Sequence, residues 1–157
     1  MPRYFYPCLL VFISLASLVI LFSYRTQSSS YESLSSGEFG GVSLRVEFAT
    51  TTVARERGLS GRENIPDDYG ILFVFPKDGY YGFWMKDTLV PLDIFWLDDK
   101  GHVVFIAQDV ATSTYPNVFY PSAPARYVLE TAAGFARRHT IATSTLLLLK
   151  NLERVSE

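Results

Sequence analysis

The side chains best equipped for chemistry in this chain sit inside an apolar stretch. Residues 83–96 read FWMKDTLVPLDIFW, which sets Lys86, Asp87 and Asp93 among large apolar and aromatic neighbours. A charge buried without a partner is strongly destabilising, so these three either satisfy one another and the backbone or line a site. The long stem of Lys86 can pass apolar neighbours and present its ammonium at a pocket rim. Asp93, two residues after Pro91, can accept backbone N–H groups at the Pro91 turn or pair with Lys86. In an extended chain Trp84 and Lys86 share one face, opposite Met85 and Asp87. The turn forced by Pro91 predicts Lys86 and Asp93 close together at one end of the β-structure, half buried beneath Trp84 or Trp96. Asp87 is then the more exposed acid, or caps the following turn through Thr88. Glu130 ends another apolar run, with Arg126, Arg57 and Lys86 as its candidate partners.

Three functional readings follow. In the first, Trp84, Lys86, Asp87, Asp93 and Arg57, with Tyr115 and Tyr120 from a proline-bearing loop, form a binding surface for a small molecule, a glycan or an envelope protein. Trp84 and Trp96 serve there either as core or as a stacking platform. In the second, a hydrolase-like enzyme uses Asp93 and Glu130 as a general acid/base pair with Lys86 stabilising charge. That chemistry requires both carboxylates to open into one cleft within about 10 Å. In the third, the cluster only locks the fold and function resides in a partner protein.

Other chemistries lack their parts. No G-x-S-x-G elbow or phosphate-binding glycine loop occurs, so neither nucleophilic catalysis nor a nucleotide cofactor is implied. His102 and His139 read as surface or near-surface residues rather than metal ligands, and no metal or other cofactor is expected. Beyond Arg25 the chain carries 12 bases against 16 acids, a net −4 with no basic stripe. Nucleic acid is therefore not an expected partner.

The elements that must position these residues are short and mostly extended. VSLRVEFA (42–49) alternates apolar and polar side chains, the period of a half-buried strand. Residues 50–66 read as a short helix capped by Thr50, Thr51 or Thr52, with Glu56 in its first turn and its end at Gly58 or Gly61. GILFVF (70–75) is an apolar strand stopped by Pro76, and further strands are expected over about 80–86 and 92–97. Residues 92–107 form a hairpin through Asp98-Asp99-Lys100-Gly101. A long loop covers 109–125, followed by a strand (125–130), a short helix (132–139) and a last strand (144–152). The expected fold is mainly β: a compact sandwich or barrel-like domain of about six to seven short strands with one or two short helices.

Phe5 to Phe22 reads FYPCLLVFISLASLVILF, with no charge, and it contains the single cysteine, Cys8. Taken as helix, residues 4–24 span roughly 30 Å, enough to cross a membrane. A retained membrane anchor is the leading reading, over a cleaved signal or a buried helix. The division is then 1–25 anchor or signal, 26–41 flexible Ser/Gly linker, 42–152 β-rich domain and 153–157 tail. The domain is expected outside the cytoplasm on a single-pass cytoplasmic-membrane protein, or secreted if the signal is cleaved.

ERGLSGRENIPDDYGILFVF (56–75), FWMKDTLVPLDIFWLDDKGHVV (83–104) and PARYVLETAAGFARRH (124–139) resemble, in order, the motifs of the bacterial and archaeal family called domain of unknown function 192. The resemblance covers about residues 42–150. It implies a compact β-rich fold, often behind an N-terminal signal or anchor, and brings no reaction, cofactor or catalytic residue. Ser60 stands where that family usually has methionine and Asp87 where it usually has asparagine, while HTIATSTLLLL (139–149) lacks its Gly-Asp turn. The function these readings favour is a membrane-tethered, extracytoplasmic binding or accessory domain without catalysis.

Overall fold

A computed structural model describes residues 34–150. β1 (Ser35–Phe39) and β2 (Val42–Ala49) form an antiparallel hairpin joined at Gly40-Gly41. The short helix α1 (Thr52–Arg57) follows, and β3 (Tyr69–Gly79) returns parallel to β2. β4 (Leu92–Leu97) and β5 (Val103–Val110) make the hairpin expected from the sequence. After a 3₁₀ turn at Thr112–Thr114 come β6 (Ala125–Ala132), the one-turn helix α2 (Phe135–Arg138) and β7 (Leu147–Leu149). The seven strands form one sheet in the order β5-β4-β6-β3-β2-β1-β7.

This sheet is curled into a half-barrel, and its two edges meet at one end. Val103 N–H donates to the Thr145 carbonyl at 2.9 Å, Ser144 N–H to Val103 at 2.7 Å, and Leu147 N–H to Gly101 at 3.0 Å. The start of edge strand β5 is thus bonded to the segment entering edge strand β7, which covers part of an edge otherwise open to further pairing. Gly101 (φ 88°) makes this approach possible, since a β-carbon there would sit 2.9 Å from the Leu147 carbonyl oxygen.

Both faces of the curled sheet are buried, because successive strand residues point to opposite sides. Leu72, Val74, Phe95, Leu97 and Leu129 pack on one face around the rings of Phe39 and Phe135. Phe39 stands 5.1 Å from Phe95 and 6.0 Å from Phe135, centroid to centroid. Ile71, Phe73, Ile94, Trp96 and Val128 occupy the other face, covered by Leu59, Phe83 and Met85 from connecting segments.

The mainly β, barrel-like expectation holds in this single curled sheet with two short helices. Four local expectations need correction. Residues 35–41, assigned to the linker, form β1 and its turn, with Phe39 wholly buried; the strand is too short to display a period amid serine and glycine. β3 continues through Pro76 to Gly79, while its pairing with β6 shifts register between Val74 and Gly79, where a missing N–H is tolerated. Residues 80–86 make one isolated bridge, Phe83 to Phe119, instead of a strand. The last strand is confined to 147–149. The expected anchor at 4–24, the rest of the tether and the tail lie outside the described residues, among which no helix is long and apolar enough to cross a membrane.

Candidate functional site

The site is built from α1, the turn after it and the connection from β3 to β4. Thr51 caps α1, its hydroxyl accepting the Ala54 N–H at 3.1 Å. Gly58, at φ 49°, ends the helix and donates its N–H to the Ala54 carbonyl. The chain then runs beside residues 86–87: Ser60 Oγ donates to the Lys86 carbonyl at 3.0 Å and Gly61 N–H to the Asp87 carbonyl at 2.9 Å. At its other end this 81–88 strap is fastened by Trp96 Nε1–H, which donates to the Tyr81 carbonyl at 2.8 Å. Phe83 packs edge-on against Phe73 at 4.7 Å and Trp96 at 5.7 Å. Phe83 and Met85 therefore point into the core, while Trp84 and Lys86 point outward.

Between the strap and α1 lies a cleft of about 600 Å³. Arg55, Glu56 and Arg57 border it on the α1 side, and Phe73 and Phe75 of β3 with Tyr81 and Trp84 of the strap supply aromatic walls. Phe75 and Tyr81 are stacked with centroids 3.6 Å apart. Lys86 stands on the strap side and Glu130 of β6 also lines the space. Arg55 is held rigidly, its Nη1 donating to the Thr50 and Val74 carbonyls at 2.6 and 2.9 Å. Arg57 and Lys86 form no ion pair within 4.0 Å among the described residues.

Glu130 is the unusual group. Its register neighbours on β3 and β4 are Ile71 and Ile94, and it is only 5% exposed. Burial pushes its carboxyl up to about 8, against the Leu59 N–H bond and the Arg62 charge, which pull the other way. The group is therefore mostly protonated at neutral pH. None of the expected ion-pair partners holds it: Arg126 pairs instead with Asp78 at 2.7 Å. The lack of a side chain at Gly58 lets the turn after α1 pass close to it, since a β-carbon there would stand 3.4 Å from Glu130 Oε2 and 3.0 Å from Phe73.

Asp93 is elsewhere. It is fully buried, and in the β4–β6 register it pairs with Thr131 whereas Glu130 pairs with Ile94. Paired residues share a face, so the two carboxylates point to opposite sides of the sheet. The acid/base pair expected from the sequence does not form. Nor does the Lys86–Asp93 pair, because Lys86 is exposed and Asp93 is held by the backbone. Asp93 Oδ1 accepts the Asp109 N–H at 2.7 Å and Oδ2 accepts the Ala136 N–H at 2.8 Å. The register of β4 against β5 slips between Leu92 and Ile94, leaving Gln108 and Asp109 in a bulge whose N–H turns to Asp93. Acceptance of backbone N–H groups was one of the two roles open to Asp93, although they come from β5 and α2 rather than from the Pro91 turn.

Of the remaining expected residues, Arg57, Trp84 and Lys86 meet at the cleft. Asp87 is exposed, as expected, at φ 54°, a left-handed conformation that aspartate and asparagine tolerate. Tyr115 lies against Trp84 with centroids 5.7 Å apart. Tyr120 borders Gly82, and neither tyrosine lines the cleft itself. Trp96 is core. Sequence reasoning missed Arg55, Glu56, Ser60 and Tyr81; the spacing of Thr52, Arg55 and Glu56 on one helical face was the available signal. The turn after α1 is secured by Arg62, which donates to Glu47 at 2.8 Å and to the Tyr69 hydroxyl at 2.6 Å. Burial, then the hydrogen bond to Glu47, pushes the Tyr69 hydroxyl up to about 12.

The family model of domain of unknown function 192 (DUF192), described as "Uncharacterized ACR", matches residues 35–148. A crystal structure from Sinorhizobium meliloti 1021, provisionally described as a transcription regulator, is similar with a TM-score of 0.66 and 30% identity, over 69% of this chain and 83% of that one. Another, a protein of unknown function from Novosphingobium aromaticivorans DSM 12444, has a TM-score of 0.64 and 26% identity, over 73% of this chain and 81% of that one. No curated protein matches the chain.

Proposed function

The chain belongs to the DUF192 family, and on that premise we propose that its β-domain is a non-catalytic binding domain holding a small molecule in the cleft between α1 and the 81–88 strap. The observation that carries this reading is Glu130. A buried, largely protonated carboxyl beside an open, aromatic-walled cleft is poorly explained as packing, and such groups concentrate where ligands bind. Trp84 supplies a half-exposed stacking surface at the entrance, and Arg57 and Lys86 supply charge. Asp93, with both oxygens bonded to backbone N–H groups, has a structural part only.

Residues 4–24 would hold this domain on the outer side of the cytoplasmic membrane, which the uncharged run from Phe5 to Phe22 supports. The description of the S. meliloti protein is not carried over, since the part of the chain beyond Arg25 has a net −4 charge and no basic stripe. The test is an NMR screen of the full chain in mild detergent against soluble fragments. Hits should shift the Trp84 indole N–H and lose affinity in Trp84→Ala. Hits that map away from Trp84 and Gly58, or none at all, refute the reading.

A further inference from the structure

Glu130 in its protonated form can donate a hydrogen bond, and it lines the cleft. The Leu59 N–H and the Arg62 charge favour the ionised carboxyl, and burial outweighs both. The cleft is the open space that Glu130 lines, so an acceptor for its O–H can enter there. The charges around that space favour an anion. With Glu130 neutral, Arg55, Arg57 and Lys86 face a single carboxylate, Glu56, for a local balance of +2. Each element packed around Glu130 adds to this account. β3 and β4 present Ile71 and Ile94, the turn after α1 presents Arg62, α1 presents Arg55, Glu56 and Arg57, and the strap presents Tyr81 and Lys86. Arg62 is neutralised by Glu47, whereas Arg57 and Lys86 have no ion-pair partner among the described residues. The walls, Phe73, Phe75, Tyr81 and Trp84, suit a flat or apolar ring rather than a bare inorganic ion.

Resting on the binding-domain reading above, we infer that the cleft takes a small ring-bearing organic carboxylate. Its carboxylate accepts the Glu130 proton and is neutralised by Lys86 and Arg57, so that binding requires Glu130 to be protonated. Loss of that proton removes the donor and sets a second negative charge against the ligand. Affinity for an anion should therefore fall as pH rises through about 8, the value to which burial brings Glu130. A neutral ring of the same shape should not show that fall.

The probes are benzoate, which stays ionised throughout, and its neutral analogue benzamide, titrated into the full chain in mild detergent at about pH 6 and about pH 9. Shifts of the Trp84 indole N–H report occupancy, with detergent-only titrations as controls. Benzoate should bind roughly tenfold more tightly than benzamide at the lower pH and lose roughly tenfold at the higher one. Glu130→Gln, which keeps a donor but cannot ionise, should bind benzoate with no such pH dependence. The double substitution Arg57→Gln, Lys86→Gln should weaken benzoate and leave benzamide unchanged. Benzamide binding as well as benzoate, or an unchanged pH dependence in Glu130→Gln, would overturn the carboxylate assignment and leave the cleft a binding site. If neither probe binds, the assignment falls, and the fragment screen decides separately whether the cleft binds anything.

Discussion

Two buried carboxyl groups, Glu130 and Asp93, solve the same problem in opposite ways. Asp93 receives two backbone N–H groups, and one of them, from Ala136, belongs to the first turn of α2. α2 has no side-chain cap of its own at Gly134, so Asp93 caps it from a neighbouring strand. Asp93→Ala would leave both N–H groups unpaired in the interior and should cost about 2–4 kcal/mol of unfolding free energy in denaturant titration. A change below about 0.5 kcal/mol would show that the capping bonds contribute nothing. At Glu130 the pull of the Leu59 N–H and of Arg62 meets heavy desolvation, and desolvation wins. Its folded-state value is raised to about 8, so below about pH 4.5 the folded and unfolded chains both hold the proton and stability is unaffected. Above that, the unfolded chain ionises first and stability falls as pH rises, levelling off beyond pH 8. Glu130→Gln lacks this fall and should be more stable than the parent near pH 7, by on the order of 2 kcal/mol. Parallel melts from pH 5 to 8 that keep a constant gap between parent and variant would contradict this.

At the scale of elements, β1 and the strap matter most. β1 is five residues of serine, glycine, glutamate and phenylalanine, yet it pairs with β2 on one side and β7 on the other. Its Phe39 ring touches Phe95 and Phe135, joining three elements far apart in sequence. Phe39→Ala should therefore destabilise the domain by about 3–5 kcal/mol, as for a core aromatic. The flexible-linker reading of the same residues leads one to expect almost no change, so a single thermal or urea melt separates the two. The strap is not a strand, but alternation survives in it because Phe83 and Met85 pack on the sheet face that carries Ile71, Phe73, Ile94 and Trp96. That packing is what presents Trp84 and Lys86 to the cleft.

For the molecule as a whole, the decisive feature is closure of the sheet where Gly101 and Val103 meet Ser144, Thr145 and Leu147. These contacts link residues more than 40 positions apart, and β7 itself is only three residues long. Gly101→Ala adds a β-carbon against the Leu147 carbonyl oxygen at a positive φ, and should cost about 1–3 kcal/mol. Hydrogen exchange should show the Val103 and Leu147 amides losing protection together while central β6 amides keep theirs. Equal loss across the sheet would mean that the two edges are not a separately opening unit.

Sequence by itself determined the β-rich class, the β4–β5 hairpin, the Thr-capped helix before Gly58, and the common face of Trp84 and Lys86, though not that this face is exposed, because each follows from a local period or turn chemistry. Glu130 was legible as a candidate because a charge that ends an apolar run is unusual, and Arg57 as one of its possible partners. The actual partners were not legible. Whether Glu130 faces Asp93, and whether Asp93 meets Lys86 or a backbone amide, depends on cross-strand register, and a shift of one residue reverses every side chain. Tertiary structure decided that register through the bulge at Asp109 and the pairing of Ile94 with Glu130. It also recruited β1, whose serines and glycines form a strand only because β2 and β7 supply hydrogen-bond partners from both sides. Burial between Ile71 and Ile94 makes Glu130, a candidate ion-pair member by sequence, a largely protonated acid at a cleft. Local sequence dictates which way a side chain points relative to its neighbours, whereas only the assembled sheet dictates what it then faces.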